Sequence, residues 1–189
     1  VRYAYVYALE DSYLEYLKIS LISLKPFISN NDLVILYKNS NFLNDLNNFL
    51  DKNNIHATLK MLECNNFKGC NKNYNPALKL EIFKLNEYKK IIFLDCDTVV
   101  CKDLTHLFKS NINFGACLYK DRKDYFNSGV MVIGEDFLNK DFFSKICNMW
   151  NSGTFKMNEE LLNIIFSEKL NILNENYNTL ACSSSIENA

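Results

Sequence analysis

Apolar residues fall in short dense runs, and the polar stretches between them carry apolar residues at helical spacing. The two periods alternate along the chain. Residues 2–8 (RYAYVYA) form an aromatic and β-branched run suited to a first strand. A helix is predicted directly after it. Ser12 and Glu15 have capping-box spacing, and Leu14, Leu17, Leu21 and Leu24 recur at helical intervals until Pro26 ends the segment. Residues 32–37 (DLVILY) predict a second strand, 42–50 a helix and 57–62 a third strand. This βαβαβ alternation is the grammar of a layered α/β sheet.

Residues 64–74 are polar, contain Gly69 and predict a loop. Asn75 and Pro76 then supply an N-cap and a first-position proline for a helix running to about residue 85. Lys79 falls in its first turn, where the helix dipole disfavours a cation unless an anion is near. A lysine there suits a phosphate, although a solvated surface lysine is the commoner case. Farther on, 104–108 predicts a short helix, 114–119 a strand and 120–124 a charged loop. Residues 126–133 (FNSGVMVI) predict a strand in which Gly129 implies a bulge or close approach to a ligand. Residues 137–150 predict an amphipathic helix broken by Gly153. Asn158 is placed to cap another that carries Leu161, Leu162, Ile165 and Phe166. The tail from 171 is short and polar.

The organising stretch is 89–100 (KKIIFLDCDTVV), an apolar run fit for a strand buried on both faces that stops at two carboxylates. On a strand, Asp95 and Asp97 would project to one side and Cys96 to the other. Two acids at the carboxyl end of a central strand suit a hard cation, and open α/β sheets bind ligands at that edge. A bare D-x-D equally well caps a turn.

Composition narrows the class. At 189 residues and 48% hydrophobic, the chain can bury one full core as a single domain. A formal net charge of -1 carries no polyelectrolyte signal for nucleic acid or an acidic membrane. The seven cysteines (Cys64, Cys70, Cys96, Cys101, Cys117, Cys147, Cys182) are scattered, with no C-x-x-C pair, and read as reduced thiols. His56 and His106 lack metal-ligand context and read as structural. No signal peptide, membrane-length apolar run or glycosylation sequon is present, so a cytoplasmic setting is expected.

Taken together, the motifs resemble glycosyltransferase family 8, the group that includes glycogenin and bacterial lipopolysaccharide glycosyltransferases. Asp95-Cys96-Asp97 resembles the family's D-x-D, with Lys79 at the usual distance before it. The segment from Asp124 to Val130 resembles D-x-F-N-S-G-V, and that from Ala8 to Tyr13 resembles the part that holds the uracil. Asn158 to Asn163 resembles D-Q-x-x-L-N, and Leu173 to Asn178 resembles L-P-x-x-Y-N. Two departures stand out. Asn158 and Glu159 replace the family's acid and glutamine, and its later H-x-x-G-x-x-K-P-W segment does not occur in residues 1–189. The chain is therefore expected to be one GT-A domain without that C-terminal segment.

The resemblance implies an α/β fold of GT-A type: a Rossmann-like mixed sheet flanked by helices, with the nucleotide site at the carboxyl ends of the strands. It implies metal-dependent transfer of a hexose from a nucleotide sugar, a UDP-sugar above all, to a glycan or protein acceptor with retention of configuration. Asp95 and Asp97 would hold Mn²⁺ or Mg²⁺. Ala8, Leu9, Tyr13, Lys79, Cys96 and Ser128 would line the nucleotide site. Asp124, Asn127 and Glu159 would orient donor hydroxyls. Two other classes stay open. A non-catalytic sugar-nucleotide or glycan-binding module is suggested by the two departures. A nucleotidyltransferase would pair acids with a metal but also needs a glycine-rich phosphate loop, and Ala8-Leu9-Glu10-Asp11 is not one.

Overall fold

The computed structural model of the protein describes residues 1–62, 66–69 and 77–179. Seven strands form one mixed sheet: β1 (Tyr3–Leu9), β2 (Asp32–Tyr37), β3 (Thr58–Met61), β4 (Lys90–Leu94), β5 (Phe114–Tyr119), β6 (Arg122–Gly134) and β7 (Asn171–Ile172). Their order is β3-β2-β1-β4-β6-β5-β7. β1 pairs in parallel with β2 and β4, and β2 with β3. β6 runs antiparallel to both β4 and β5, and β7 is parallel to β5. The acid-bearing strand is thus central, where the parallel half of the sheet meets the antiparallel half.

That position explains its composition. Ile91 and Phe93 face one core and Ile92 and Leu94 the other, all buried. The first core packs a 3₁₀ segment (Leu78–Lys84), α4 (Lys140–Ser152) and α5 (Asn158–Phe166) on the sheet, through Leu80, Phe83, Ile146, Leu162 and Phe166. The second packs α1 (Leu14–Leu24) and α2 (Leu43–Lys52) on the opposite face through Leu17, Leu21, Leu24, Leu46 and Leu50. The short α3 (Thr105–Phe108) joins them there through Leu107 and Phe108. Residues at helical spacing therefore meet residues at strand spacing on both sides.

Several sequence expectations shift. A 3₁₀ turn (Asp11–Tyr13) precedes α1, and neither Ser12 nor any other side chain caps it, so the capping box does not form. The predicted helix start at Asn75 and Pro76 lies outside the described residues, as does most of the 64–74 loop. The segment Leu78–Lys84 is 3₁₀ rather than α, and at seven residues it offers little macrodipole for a phosphate. The 120–124 loop is instead a tight hairpin, because Tyr119 pairs across it with Arg122 and extends β6 to that residue. The helix predicted from 137 begins at Lys140, where Asn139 caps it by accepting the Phe142 N–H at 2.9 Å. Asn158 lies inside α5, whose cap position falls to Met157. The polar tail supplies β7, held by backbone pairing that polar side chains do not announce. His106 bonds the Tyr177 hydroxyl at 2.7 Å, and His56 is exposed ahead of β3.

Candidate active site

The strand β4 ends at Leu94, so the two acids stand in a turn rather than on the pleat, and strand alternation does not set their directions. The turn is fixed by its backbone. Asp95 N–H donates to the Gly129 carbonyl at 2.8 Å, while the Thr98 N–H and hydroxyl both donate to the Asp95 carbonyl, at 3.1 and 2.8 Å. The Cys96 thiol turns inward and donates to the Ala8 carbonyl at 3.4 Å, tying the turn to the end of β1. Burial raises that thiol's pKa, with Asp95 and Asp97 pushing the same way. Asp97 is exposed.

Opposite the turn, β6 bulges. Cys117 of β5 pairs with Asn127 while the adjacent Ala116 pairs with Met131, leaving residues 128–130 unmatched on that side. Here the glycine is required by space: a Cβ on Gly129 would lie 2.9 Å from Asn127 Oδ1 and 3.3 Å from both Asn178 Nδ2 and Asp95 Oδ2. The bulge turns Ser128 toward Lys79 and Glu159. Lys79 Nζ lies 2.8 Å from Asp95 Oδ1 and donates to the Ser128 carbonyl and hydroxyl oxygens, at 3.1 and 3.0 Å. Glu159 Oε2 accepts the Ser128 N–H and O–H, each at 2.9 Å, and its Oε1 accepts the Tyr119 hydroxyl at 3.0 Å. One chain of polar contacts therefore runs Tyr119, Glu159, Ser128, Lys79, Asp95.

A cleft of about 440 Å³ opens over this chain, and all five of its members line the cleft, with Asn127 beside them. Its outer wall carries Tyr125, with the Arg122 guanidinium 3.8 Å above the ring. Burial pushes Asp95 above the ordinary carboxylate range. Lys79 pulls it back, and Asp97 and Glu159 push it up again. Burial, with the charge of Glu159, raises the Tyr119 phenol to about 12. Among the described residues, no group of three or more His, Cys, Asp or Glu is placed to hold a metal ion.

The remaining expected residues spread along the same sheet edge. Tyr13 is 42% exposed beside Tyr16, with ring centroids 5.8 Å apart. Leu9 is buried in the second core and offers only backbone, as does Cys96. Ala8 is partly buried. Near them, burial raises Glu10, with Lys38 opposing. Asp124 is exposed on β6 and does not line the cleft. Three residues not singled out from sequence support the site. Tyr119 holds Glu159, and Asn178 donates to Asn127 Oδ1 at 2.7 Å. Asn163 clips α5 to β6 by accepting the Phe126 N–H at 2.8 Å and donating to the Phe126 and Glu159 carbonyls, each at 3.0 Å. Asn163 and Asn178 close two of the motif segments, which was the signal available. Nothing in one sequence points to Tyr119.

Comparison with known proteins gives consistent matches. A family model described as Glycosyl transferase family 8 matches residues 5–187. The glycosyltransferase GlyA of Streptococcus pneumoniae serotype 4 is 27% identical over 118 residues, 56% of this chain and 17% of GlyA. Inositol phosphorylceramide glucuronosyltransferase 1 of Arabidopsis thaliana is 42% identical over 55 residues, 29% of this chain and 10% of that protein. The chain thus spans under a fifth of the length of either. Among solved structures, the glycosyltransferase GlyE of Streptococcus pneumoniae superposes with a TM-score of 0.74 at 18% identity, covering 94% of this chain and 46% of GlyE. An active-site mutant of LgtC superposes with a TM-score of 0.71 at 22% identity, covering 91% of this chain and 73% of LgtC. The shared fold is of the GT-A type.

Proposed function

The chain belongs to glycosyltransferase family 8, and from that premise we propose that it is a metal-dependent glycosyltransferase that moves a hexose from a UDP-sugar to a glycan or protein acceptor, with retention. The observation that carries the reading is the cluster of Lys79, Asp95, Ser128 and Glu159 in one cleft at the carboxyl end of the central strand. A cation, a carboxylate pair and directed hydrogen-bonding groups are what a sugar diphosphate needs.

The donor set fits a hard cation. Asp95 and Asp97 would be two oxygen ligands on one turn, and with no group of three or more His, Cys, Asp or Glu placed to hold a metal ion among the described residues, the ion would share its shell with phosphate and water rather than sit in a protein cage. When bound, such an ion neutralises charge growing on the departing nucleoside diphosphate. Asp95 and Asp97 would hold it, and Lys79 adds a second positive charge beside the phosphates. Asn127 and Glu159 orient donor hydroxyls, and the Tyr119 phenol keeps Glu159 in place. Asp124, outside the cleft, would reach the sugar only from its rim. The exposed ring of Tyr13 offers the base a stacking face, and Ala8 and Leu9 offer backbone.

The second reading, a module that binds the sugar nucleotide without transfer, is favoured by one observation. Both oxygens of Glu159 are already engaged, by Ser128 and Tyr119. A calorimetric screen of nucleotide sugars with and without Mn²⁺, followed by assay of glycosyl release, tests both. UDP-sugar binding that needs Mn²⁺ and leads to release supports the transferase. Binding without release supports the module, and no binding of any nucleotide sugar removes both. In the same screen Tyr13→Ala is expected to weaken UDP binding by roughly 1–3 kcal/mol, the range for stacking on an aromatic platform. Unchanged affinity with a lowered melting temperature would place Tyr13 in the packing of α1 instead.

A further inference from the structure

The geometry points to a second role for Lys79: its ammonium stands at Asp95 where the divalent cation has to bind, so that metal and nucleotide enter by exchanging with this lysine. The inference rests on the metal and nucleotide reading above and adds the residue that couples the two.

An ammonium has three donors, and Lys79 has three acceptors for them: Asp95 Oδ1 at 2.8 Å, the Ser128 carbonyl at 3.1 Å and the Ser128 hydroxyl at 3.0 Å. The ring of Phe93 lies below, its centroid 5.0 Å from Nζ. The lysine side chain is 13% exposed and the aspartate 37%, so the pair is open to solvent mainly from the carboxylate side. A lysine bound in this way has no donor left for a phosphate. A carboxylate bound in this way has one oxygen committed to a cation already.

This pairing sets the energetics of entry. A divalent ion arriving alone meets the ammonium already at Asp95 Oδ1 and, in displacing it, offers no new acceptor for the donor set free. A diphosphate arriving alone must draw the ammonium away and leaves Asp95 bare in the field of Asp97 and Glu159, both of which already disfavour its charge. Arriving together, the ion takes Asp95 and the diphosphate supplies oxygens for the released lysine. Each ligand removes the penalty of the other, which is a positive coupling carried by one side chain. Lys79 is in this sense a positioning residue for the metal as well as a phosphate contact.

The test is Mn²⁺ binding to the nucleotide-free full chain, read from the electron paramagnetic resonance signal of free Mn²⁺. Lys79→Met, close in length and without charge, is expected to tighten Mn²⁺ binding by roughly three- to tenfold, the change that loss of a partly exposed ion-pair competitor corresponds to. Lys79→Arg, which can still pair with Asp95, and Arg122→Gln, which removes a positive charge elsewhere on the cleft, are expected to stay near the parent. Unchanged or weaker Mn²⁺ binding in Lys79→Met overturns the inference, and so does equal tightening in Arg122→Gln. If the parent still binds Mn²⁺ with UDP in those cases, the metal reading stands without the exchange. Absence of Mn²⁺ binding to the parent even with UDP removes the metal reading and the inference with it. A measurement on the parent alone guards against misfolded variants. The ¹⁵N-resolved Lys79 ammonium resonance is expected to shift when Mg²⁺ and UDP are added together, and a resonance unmoved at saturation overturns the exchange.

Discussion

Asp95 and Asp97 are two residues apart, yet the fold treats them differently. Asp95 is pinned through its own N–H and carbonyl and paired with Lys79, whereas Asp97 is exposed on the turn. Asp97→Asn is therefore expected to abolish Mn²⁺-dependent nucleotide binding while leaving the melting temperature near the parent's, because it removes charge and no core volume. Equal Mn²⁺-dependent affinity in variant and parent would remove Asp97 from the site. Tyr119 supplies a pH signature. Its phenol titrates near 10.0 when unperturbed and at about 12 in the fold, so between those values the native state holds the extra proton. Its contribution to stability is full below the unfolded pKa and is lost as pH rises through the folded one. Urea unfolding between about pH 9 and pH 11 is expected to show stability falling with pH, and Tyr119→Phe to flatten part of that slope. Tyr88, also raised to about 12, keeps part of the remainder, together with Tyr5, Tyr7, Cys96, Cys117 and Cys147, which burial raises as well.

At the level of elements, the site is made where β6 departs from regular pairing. The bulge sends Ser128 and Gly129 toward the acid turn, and α5 holds the bulge from the other side through Asn163. That buried amide engages the Phe126 backbone on both its oxygen and its nitrogen, and reaches the Glu159 carbonyl one helical turn back. Asn163→Ala leaves these backbone groups without their partner, at a cost expected to be about 1–3 kcal/mol in denaturant unfolding. Since the same amide sets the position of Glu159, nucleotide-sugar affinity should fall beyond what the loss of folded protein explains. A variant destabilised to that extent but with unchanged affinity would show that the clip serves stability alone. The 3₁₀ segment is the counterpart below the cleft. It buries Leu80, Ile82 and Phe83 and thereby delivers Lys79 to Asp95.

For the molecule as a whole, the sheet separates two cores, and the one beneath the cleft is rich in aromatic rings. Phe114 and Phe166 stack with centroids 3.5 Å apart and planes within 2°, and Phe137, Phe142 and Phe83 surround Phe166. Phe166→Ala opens a cavity between α5 and the sheet and is expected to cost about 3–5 kcal/mol of unfolding free energy. Loss of less than about 1 kcal/mol would mean that the core collapses readily at that point. No helix among the described residues is long and apolar enough to cross a membrane.

How much of this was legible beforehand divides along a physical line. Local period and backbone chemistry sufficed for β2 and β5, whose observed limits coincide with the apolar runs, and for the central position of the acid strand, since a run without polar interruption has to be covered on both faces. The family motifs likewise singled out Asp95, Ser128 and Glu159 within short contiguous patterns and Lys79 by its distance before the D-x-D, and the fold brings these four to one cleft. The sequence by itself thus determined the layered α/β class and the residue types gathered at one sheet edge. Only the tertiary structure decided that the acids leave the strand, that Lys79 pairs with one of them, that β7 closes the far edge, and that Tyr119, Asn163 and Asn178 hold the site. These depend on backbone hydrogen bonds and on contacts between residues 16 to 51 positions apart, such as Lys79 with Asp95 and with Ser128, Tyr119 with Glu159, and Asn127 with Asn178. Local propensity carries no information about such pairs until the chain has folded them together.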